Sequence, residues 1–160
     1  MSPSRQHVVG LISDTHGLLR TSIHNAFAGV ELILHAGDVG GSDILEELRL
    51  IAPVKATFGN TDSADDPELV KEIAVSIDGV RIHVSHGHET GSPTPEKLAA
   101  LYDADVIVYG HTHRQLVKAI GDKLIVNPGA AGARRFNLKP SVARLNVSRG
   151  KAEVEVIELA

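Results

Sequence analysis

The sequence predicts an α/β fold in which a βαβαβ unit leads into a largely antiparallel second half. Three observations carry this. Up to Pro67, short apolar runs alternate with segments of helical period. Asp78-Gly79 then separates two strand-like runs by a two-residue hairpin signal. After one further helix, five more strand-like runs follow, divided by Gly121-Asp122 and Arg149-Gly150.

Taken in order, "HVVGLIS" from His7 is a buried strand and "LLRTSIHNAFA" a helix. "ELILHAGD" is a second strand, "SDILEELRL" a helix capped by Ser42 or Asp43, and "VKATFGN" a third strand. "NTDSADDPE", Asn60 to Glu68, is the loosest stretch. "KEIAVSI" and "VRIHVSHG" flank the hairpin turn. "TPEKLAALY" opens at Thr94 with Pro95 in its first turn, where a missing N–H costs nothing. "VIVYG", "LVKAI", "KLIVN", "SVARLNV" and "AEVEVIEL" complete the set of strands. No internal repeat or linker interrupts the chain, and 160 residues suit a single domain over 1–160.

Composition narrows the function. With 42% hydrophobic but only 3% aromatic residues, the core is built of Val, Ile, Leu and Ala. A net charge of −4 without any Lys/Arg-rich run argues against broad binding to nucleic acid or to an anionic membrane, but leaves a small charged substrate open. The absence of cysteine removes disulfides and thiolate metal sites. The first apolar run meets Asp14 too early for a signal-peptide core or a membrane span, so a soluble cytoplasmic protein is expected.

The polar residues fall in a pattern. "SDTHG", "HAGDVG", "FGNTD", "VSHGH" and "YGHTH" each lie just beyond an apolar strand. Open α/β sheets gather ligands outside the carboxyl ends of their strands, where loops from distant parts of the chain converge. Taken singly, each of these motifs reads as an ordinary turn. Taken together, in this order and with glycine beside most of them, they mark one site.

These five motifs together resemble those of the calcineurin-like metallophosphoesterases, in particular their small single-domain bacterial and archaeal phosphodiesterases, and the likeness spans nearly the whole chain. The resemblance implies a four-layer α-β-β-α sandwich of two mixed sheets flanked by helices, and a centre of two divalent metal ions. By the same analogy Asp14, His16, Asp38 and His113 hold one ion, and Asp38, Asn60, His86 and His111 hold the other. A carboxylate has two oxygens and can serve two cations, as Asp38 must in this scheme. Imidazole, amide and carboxylate ligands suit borderline divalent metals, with manganese the first expectation and iron, zinc, nickel or cobalt compatible. Two such ions bring about +4 against about −2 from the two aspartates, a setting for an anionic phosphate ester attacked by a bridging hydroxide.

One departure stands out. Many larger members of the family carry a histidine after the Gly-Asn pair as a leaving-group proton donor, and here that position is Thr61. His88 is the substitute donor considered first, with Asp62 orienting a ligand or that donor; Asn60 and Arg135 are assigned to substrate. His35 is a strand-end residue with a secondary link to the site, and His7, His24 and His83 are assigned to packing or surface. The expected activity is phosphodiester hydrolysis. The alternatives are a phosphomonoesterase or nuclease on the same centre, or a non-catalytic adaptor like the retromer subunit that shares the family's fold. Edge strands in the second half offer a route to a homo-oligomer.

Overall fold

The computed structural model describes residues 6–134 and 137–159. The first sheet takes its centre from the βαβαβ unit: β1 (His7–Ile12), β2 (Leu32–His35) and β3 (Val54–Ala56) run parallel. Two C-terminal strands, β9 (Ser141–Ser148) and β10 (Lys151–Glu158), join it antiparallel at the other edge, giving the order β10-β9-β1-β2-β3. The second sheet contains β4 (Ile73–Ile77), β5 (Val80–Val84), β6 (Val106–Val108), β7 (Leu116–Ile120) and β8 (Lys123–Asn127) in the order β4-β5-β6-β8-β7. Its central strands β5, β6 and β8 are parallel, while the β4-β5 and β7-β8 hairpins are antiparallel. The second half is therefore mixed, not largely antiparallel, because α3 (Pro95–Leu101) provides the crossover that lets β6 enter parallel to β5.

Three layers of apolar packing hold four layers of structure. Val9 and Leu11 of β1, Leu34 of β2, and Ala143, Leu145 and Val147 of β9 face Ile82, Val84, Val106, Val108 and Val126 of the second sheet. The alternate residues of the same strands point outward: Ile12, Ile33 and Val142 pack under α1 (Ile23–Ala26) and α2 (Ser42–Arg49). Ile107 and Ile125 pack under Leu98 of α3. The period of two thus assigns each strand one face to the sandwich and one to a helix. Gly10 belongs to this pattern, since a Cβ there would sit 3.0 Å from the ring of fully buried Phe27. The result is the expected α-β-β-α sandwich. Among the described residues no helix is long and apolar enough to cross a membrane.

Local details differ from the sequence reading in two places. The first helix shrinks from the expected Leu18–Ala28 to four residues, because Leu18 N–H returns to Thr15 O and Arg20 Nε bonds Gly132 O, which commits residues 15–20 to separate turns. The second helix is capped by Gly41, at φ 144°, with no side-chain cap; Asp43 sits in the first turn, where its charge suits the helix dipole. Thr94 does cap α3, accepting from Lys97 N–H at 3.2 Å. Asp78 and Gly79 both take positive φ, as the tight hairpin requires. The Asp78 carboxylate and carbonyl accept the amides of Arg149 and Gly150 at 2.7 and 2.8 Å, so the two hairpin turns pin the sheets together at the end where β1 begins.

At the other end, a buried polar chain links the first two strands. His35 is fully buried; its Nδ1 accepts from Gly37 N–H at 3.1 Å, so its ring proton is on Nε2 and donates to Thr15 Oγ1 at 3.0 Å. Thr15 in turn donates to Val39 O at 2.7 Å. A second ring proton would face the Gly37 N–H. Burial dominates, and although Asp14 and Asp62 pull the other way, His35 is pushed down from 6.5 to about 4. The unfolded chain therefore takes up a proton between those values that the folded protein refuses, and stability is lost as pH falls from about 6.5 through about 4, by on the order of 3 kcal/mol. In urea unfolding of metal-free protein across this range, the stability gap between the parent and His35→Gln should narrow as pH falls. A gap independent of pH would refute the assignment.

Candidate metal centre

All five polar motifs lie at the carboxyl ends of parallel strands, and backbone hydrogen bonds sew their loops together. Past the ends of β1 and β2, Asp14 N–H reaches Gly37 O, His16 N–H reaches Asp38 O, and Gly17 N–H reaches Val39 O, at 2.9 to 3.0 Å. From the second sheet, Gly110 N–H donates to His86 O. The loop after β8 closes the ring through Ala131 N–H to Ser13 O and Gly132 N–H to Asp14 O. Such close stitching needs unusual backbone. Asp14, His16, Asp38, His111 and His113 all have positive φ, between 46° and 73°, which L-residues seldom adopt. Two glycines let the acids approach: a Cβ on Gly110 would collide with Ser13 Oγ and Asp14 Oδ2, and one on Gly59 with Asp38 Oδ1.

The side chains converge. His16 Nε2 lies 3.6 Å from both Asp14 Oδ1 and Asp38 Oδ2, and 3.4 Å from His113 Nε2. His113 Nε2 is 3.4 Å from Asp14 Oδ1. On the other side His86 Nε2 is 3.2 Å from Asp38 Oδ2, 3.8 Å from Asp14 Oδ1 and 3.0 Å from Asn60 Oδ1. His111 Nδ1 is 3.1 Å from the same amide oxygen. Among the described residues, two clusters have the close donor spacing that a metal ion needs: Asp14, His16 and His113, and Asp14, Asp38 and His86.

Their electrostatics explain how so much polarity is buried. Burial alone would raise Asp14, yet the imidazoles of His113 and His16 outweigh it and hold this carboxyl well below the usual range. Asp38 likewise falls to about 2, burial being overcome by His86 and by the amide and hydroxyl of Thr61. Burial disfavours a charged His86, but the two aspartates raise its pKa on balance. His86 Nδ1 is fixed as a donor to Ala36 O at 2.8 Å, which leaves the Nε2 lone pair of the neutral ring facing the centre. His111 moves the other way, lowered by burial and by the neighbouring His86.

The seven residues expected at the metals, Asp14, His16, Asp38, Asn60, His86, His111 and His113, are all brought together. His88 stands beside them, its ring 5.4 Å from that of His86 and 6.4 Å from that of His111, with Nδ1 buried and unpartnered. Among the described residues, the hydrogen bonds of the Asp62 side chain go to backbone amides and not to a histidine. Its carboxylate accepts the amides of Val39, Gly40 and Gly59 at 3.0 to 3.1 Å, so it ties the loop that carries Asp38 to the loop that carries Asn60. Arg135 lies outside the described residues. His83 stacks on Tyr102 at 3.7 Å, and His7 and His24 pair with Glu31 and Glu47.

Sequence reasoning gave no role to Ser13, which donates to Asp14 Oδ2, or to Asn127 in the glycine-rich stretch from Asn127 to Phe136, whose side-chain amide donates to Gly110 O and Thr112 Oγ1. Thr61, noted only for the histidine it replaces, donates both its amide and its hydroxyl to Asp38. No spacing rule marks such residues, because a hydroxyl beside an acid is common in any loop.

Comparison with known proteins agrees with the geometry. Residues 8–150 match the family model of the calcineurin-like phosphoesterase superfamily domain. A probable metallophosphoesterase of Methanothermobacter thermautotrophicus is 35% identical over 94% of this chain and 91% of its own. A phosphodiesterase of Methanocaldococcus jannaschii is 30% identical over 76% and 82% respectively. Among solved structures, vacuolar protein sorting 29 of Cryptosporidium parvum superposes with a TM-score of 0.79 at 25% identity, over 97% of this chain and 98% of that one. By its fold, its convergent site and a family match across most of its length, the chain belongs to the calcineurin-like phosphoesterase superfamily.

Proposed function

We propose that the protein is a phosphodiesterase that hydrolyses small phosphate esters with two divalent metal ions, one held by Asp14, His16, Asp38 and His113 and the other by Asp38, Asn60, His86 and His111. The observation that carries this reading is Asp14 Oδ1. This oxygen is buried without a hydrogen-bond partner, and three imidazole Nε2 atoms face it at 3.4 to 3.8 Å. Those separations are long for hydrogen bonds. The two shorter ones, to His113 and His16 at 3.4 and 3.6 Å, suit neighbouring ligands of one cation, since metal–ligand bonds of about 2.0 to 2.2 Å place adjacent donors roughly 3.0 to 3.6 Å apart; His86, at 3.8 Å, faces the second ion of this scheme. Leaving such an oxygen uncompensated would be costly, and a cation removes the cost. Four imidazoles, one amide and two carboxylates favour a borderline divalent metal, and manganese is our first choice.

Bound there, two divalent ions would make a shared water nucleophilic at neutral pH and draw the phosphoryl oxygens toward it. The chain's own residues set the rest. Asp62 and the sewn loops fix the approach of the two halves of the site. Thr61 has its hydroxyl proton engaged with Asp38 and has none to spare for a leaving group. We assign that proton to His88, the half-buried imidazole beside His86 and His111 with an unpartnered ring nitrogen. The phosphodiesterase name of a relative 30% identical supports the diester preference. The full set of ligand side chains favours an enzyme over an adaptor, although the fold is shared with a sorting protein.

A panel of aryl diester, aryl monoester, cyclic nucleotides and single-stranded DNA, assayed with Mn²⁺, tests the reading; we expect the aryl diester to react fastest. Preference for the monoester, or no turnover of any ester by metal-loaded protein, would refute it. Elemental analysis should give close to two divalent ions per chain. Asp38→Asn should weaken both sites by more than the roughly 10- to 100-fold typical of residues that only support a ligand, whereas His16→Ala should weaken mainly one. Unchanged affinities in Asp38→Asn would end the shared-ligand assignment. For His88, replacement by alanine should slow esters of poor leaving groups by about 10² to 10⁴ while nitrophenyl esters react almost normally, steepening the dependence on leaving-group pKa. Equal slowing of all esters at unchanged metal content would instead make His88 a positioning or electrostatic residue.

A further inference from the structure

Each aspartate of the centre turns one oxygen inward and has the other gripped from behind. Asp14 Oδ2 accepts from the Ser13 hydroxyl at 2.6 Å and from the His111 amide at 3.1 Å. Asp38 Oδ1 accepts from the Thr61 hydroxyl at 2.8 Å and from the Thr61 amide at 2.9 Å. The pattern is the same twice: one hydroxyl and one backbone N–H on one carboxylate oxygen. The atoms left facing the histidines are Asp14 Oδ1 and Asp38 Oδ2, and the latter lies 3.6 Å from His16 Nε2 and 3.2 Å from His86 Nε2.

We propose that the hydroxyls of Ser13 and Thr61 are positioning groups that restrict Asp14 and Asp38 to one-oxygen contact with the metals, and that Thr61 fixes Asp38 Oδ2 as the atom shared by the two ions. This inference rests on the dinuclear reading above. A free carboxylate between two cations has other choices: it can give one oxygen to each, or chelate one ion with both. Either choice requires Oδ1 to turn inward and give up two hydrogen bonds to an anionic acceptor, which are the strong kind. Gly59 packs so close to Oδ1 that even a methyl group there would collide with it, so the carboxylate is confined sterically as well. A bridge held to a single atom would bring two bound ions close enough to share one water. The side chain at position 61 thereby acquires a definite role, since the backbone amide donor survives any substitution other than proline, whereas the second donor is the Thr61 hydroxyl and is lost with it.

Thr61 is exposed, so the test can be made there without touching the core. Thr61→Val keeps the shape and removes the hydroxyl, and Thr61→Ser restores it. Each protein is loaded with Mn²⁺, its affinity measured by calorimetry, and the magnetic coupling between ions read by electron paramagnetic resonance. We expect two coupled ions in the parent. Thr61→Val should lose about 10- to 100-fold in affinity, as is usual when a ligand's supporting partner is removed, and should show altered coupling, while Thr61→Ser recovers both. A residue that merely supported the fold would not change the coupling. Parental affinity and coupling in Thr61→Val would overturn the positioning role and leave the metal centre standing. Failure of the parent itself to take up metal would overturn both.

Discussion

The buried carboxylate of Asp14 sets the terms for the rest of the structure. It sits at the end of the central strand of the first sheet, essentially without solvent contact, and one of its oxygens has no hydrogen-bond donor. A charge in that position is tolerable only if positive or polarisable groups surround it closely. The chain answers with imidazoles from three different loops, two of which belong to the opposite sheet. The sandwich thus has to close with the carboxyl ends of β1, β5 and β6 side by side. The paired hairpin turns at the opposite end and the Val, Ile and Leu core between the sheets fix that register.

Closing the loops this tightly places strain where the chemistry is. Five non-glycine residues of the site adopt left-handed backbone, a cost that only a surrounding network of fixed contacts can sustain. The network is visible in the ladder between residues 14–17 and 37–39, in the three amides gathered by Asp62, and in the buried Thr15–His35 pair. These groups touch no substrate in our proposal. They hold the first layer of ligands in place, which is the arrangement expected of a site whose geometry must be set before the substrate arrives.

Hydroxyl groups have a larger part here than the histidine motifs suggest. Ser13 and Thr61 each take one oxygen of an aspartate out of play, and Thr15 passes the His35 proton link on to Val39. Because the Thr61 hydroxyl is committed to Asp38, the proton donor of the proposed reaction has to come from elsewhere in the pocket, and the His88 turn brings another imidazole to its edge. In our proposal the hydroxyl at position 61, where many larger members carry a histidine, thus exchanges a proton donor for a restraint on the shared acid.

The strands, the hairpin at Asp78-Gly79 and the Thr94 cap were legible in the amino-acid order, because each depends on local rules such as a period of two or a positive-φ turn; the seven side chains that meet were named through the resemblance to a known family, which the polar motifs past the apolar strands carry. Asp62 and His88 were visible there as candidates, Asp62 to orient a ligand or a donor and His88 as that donor. Only the folded arrangement reveals that β9 and β10 cross over to complete the first sheet, that β6 and β8 run parallel to β5, and that the first helix is only four residues long. The same holds for which oxygen of each aspartate faces inward. All of these rest on contacts between residues far apart in the chain, such as Arg20 with Gly132 or Thr61 with Asp38, and no pattern of neighbouring residues encodes which distant donor will arrive first.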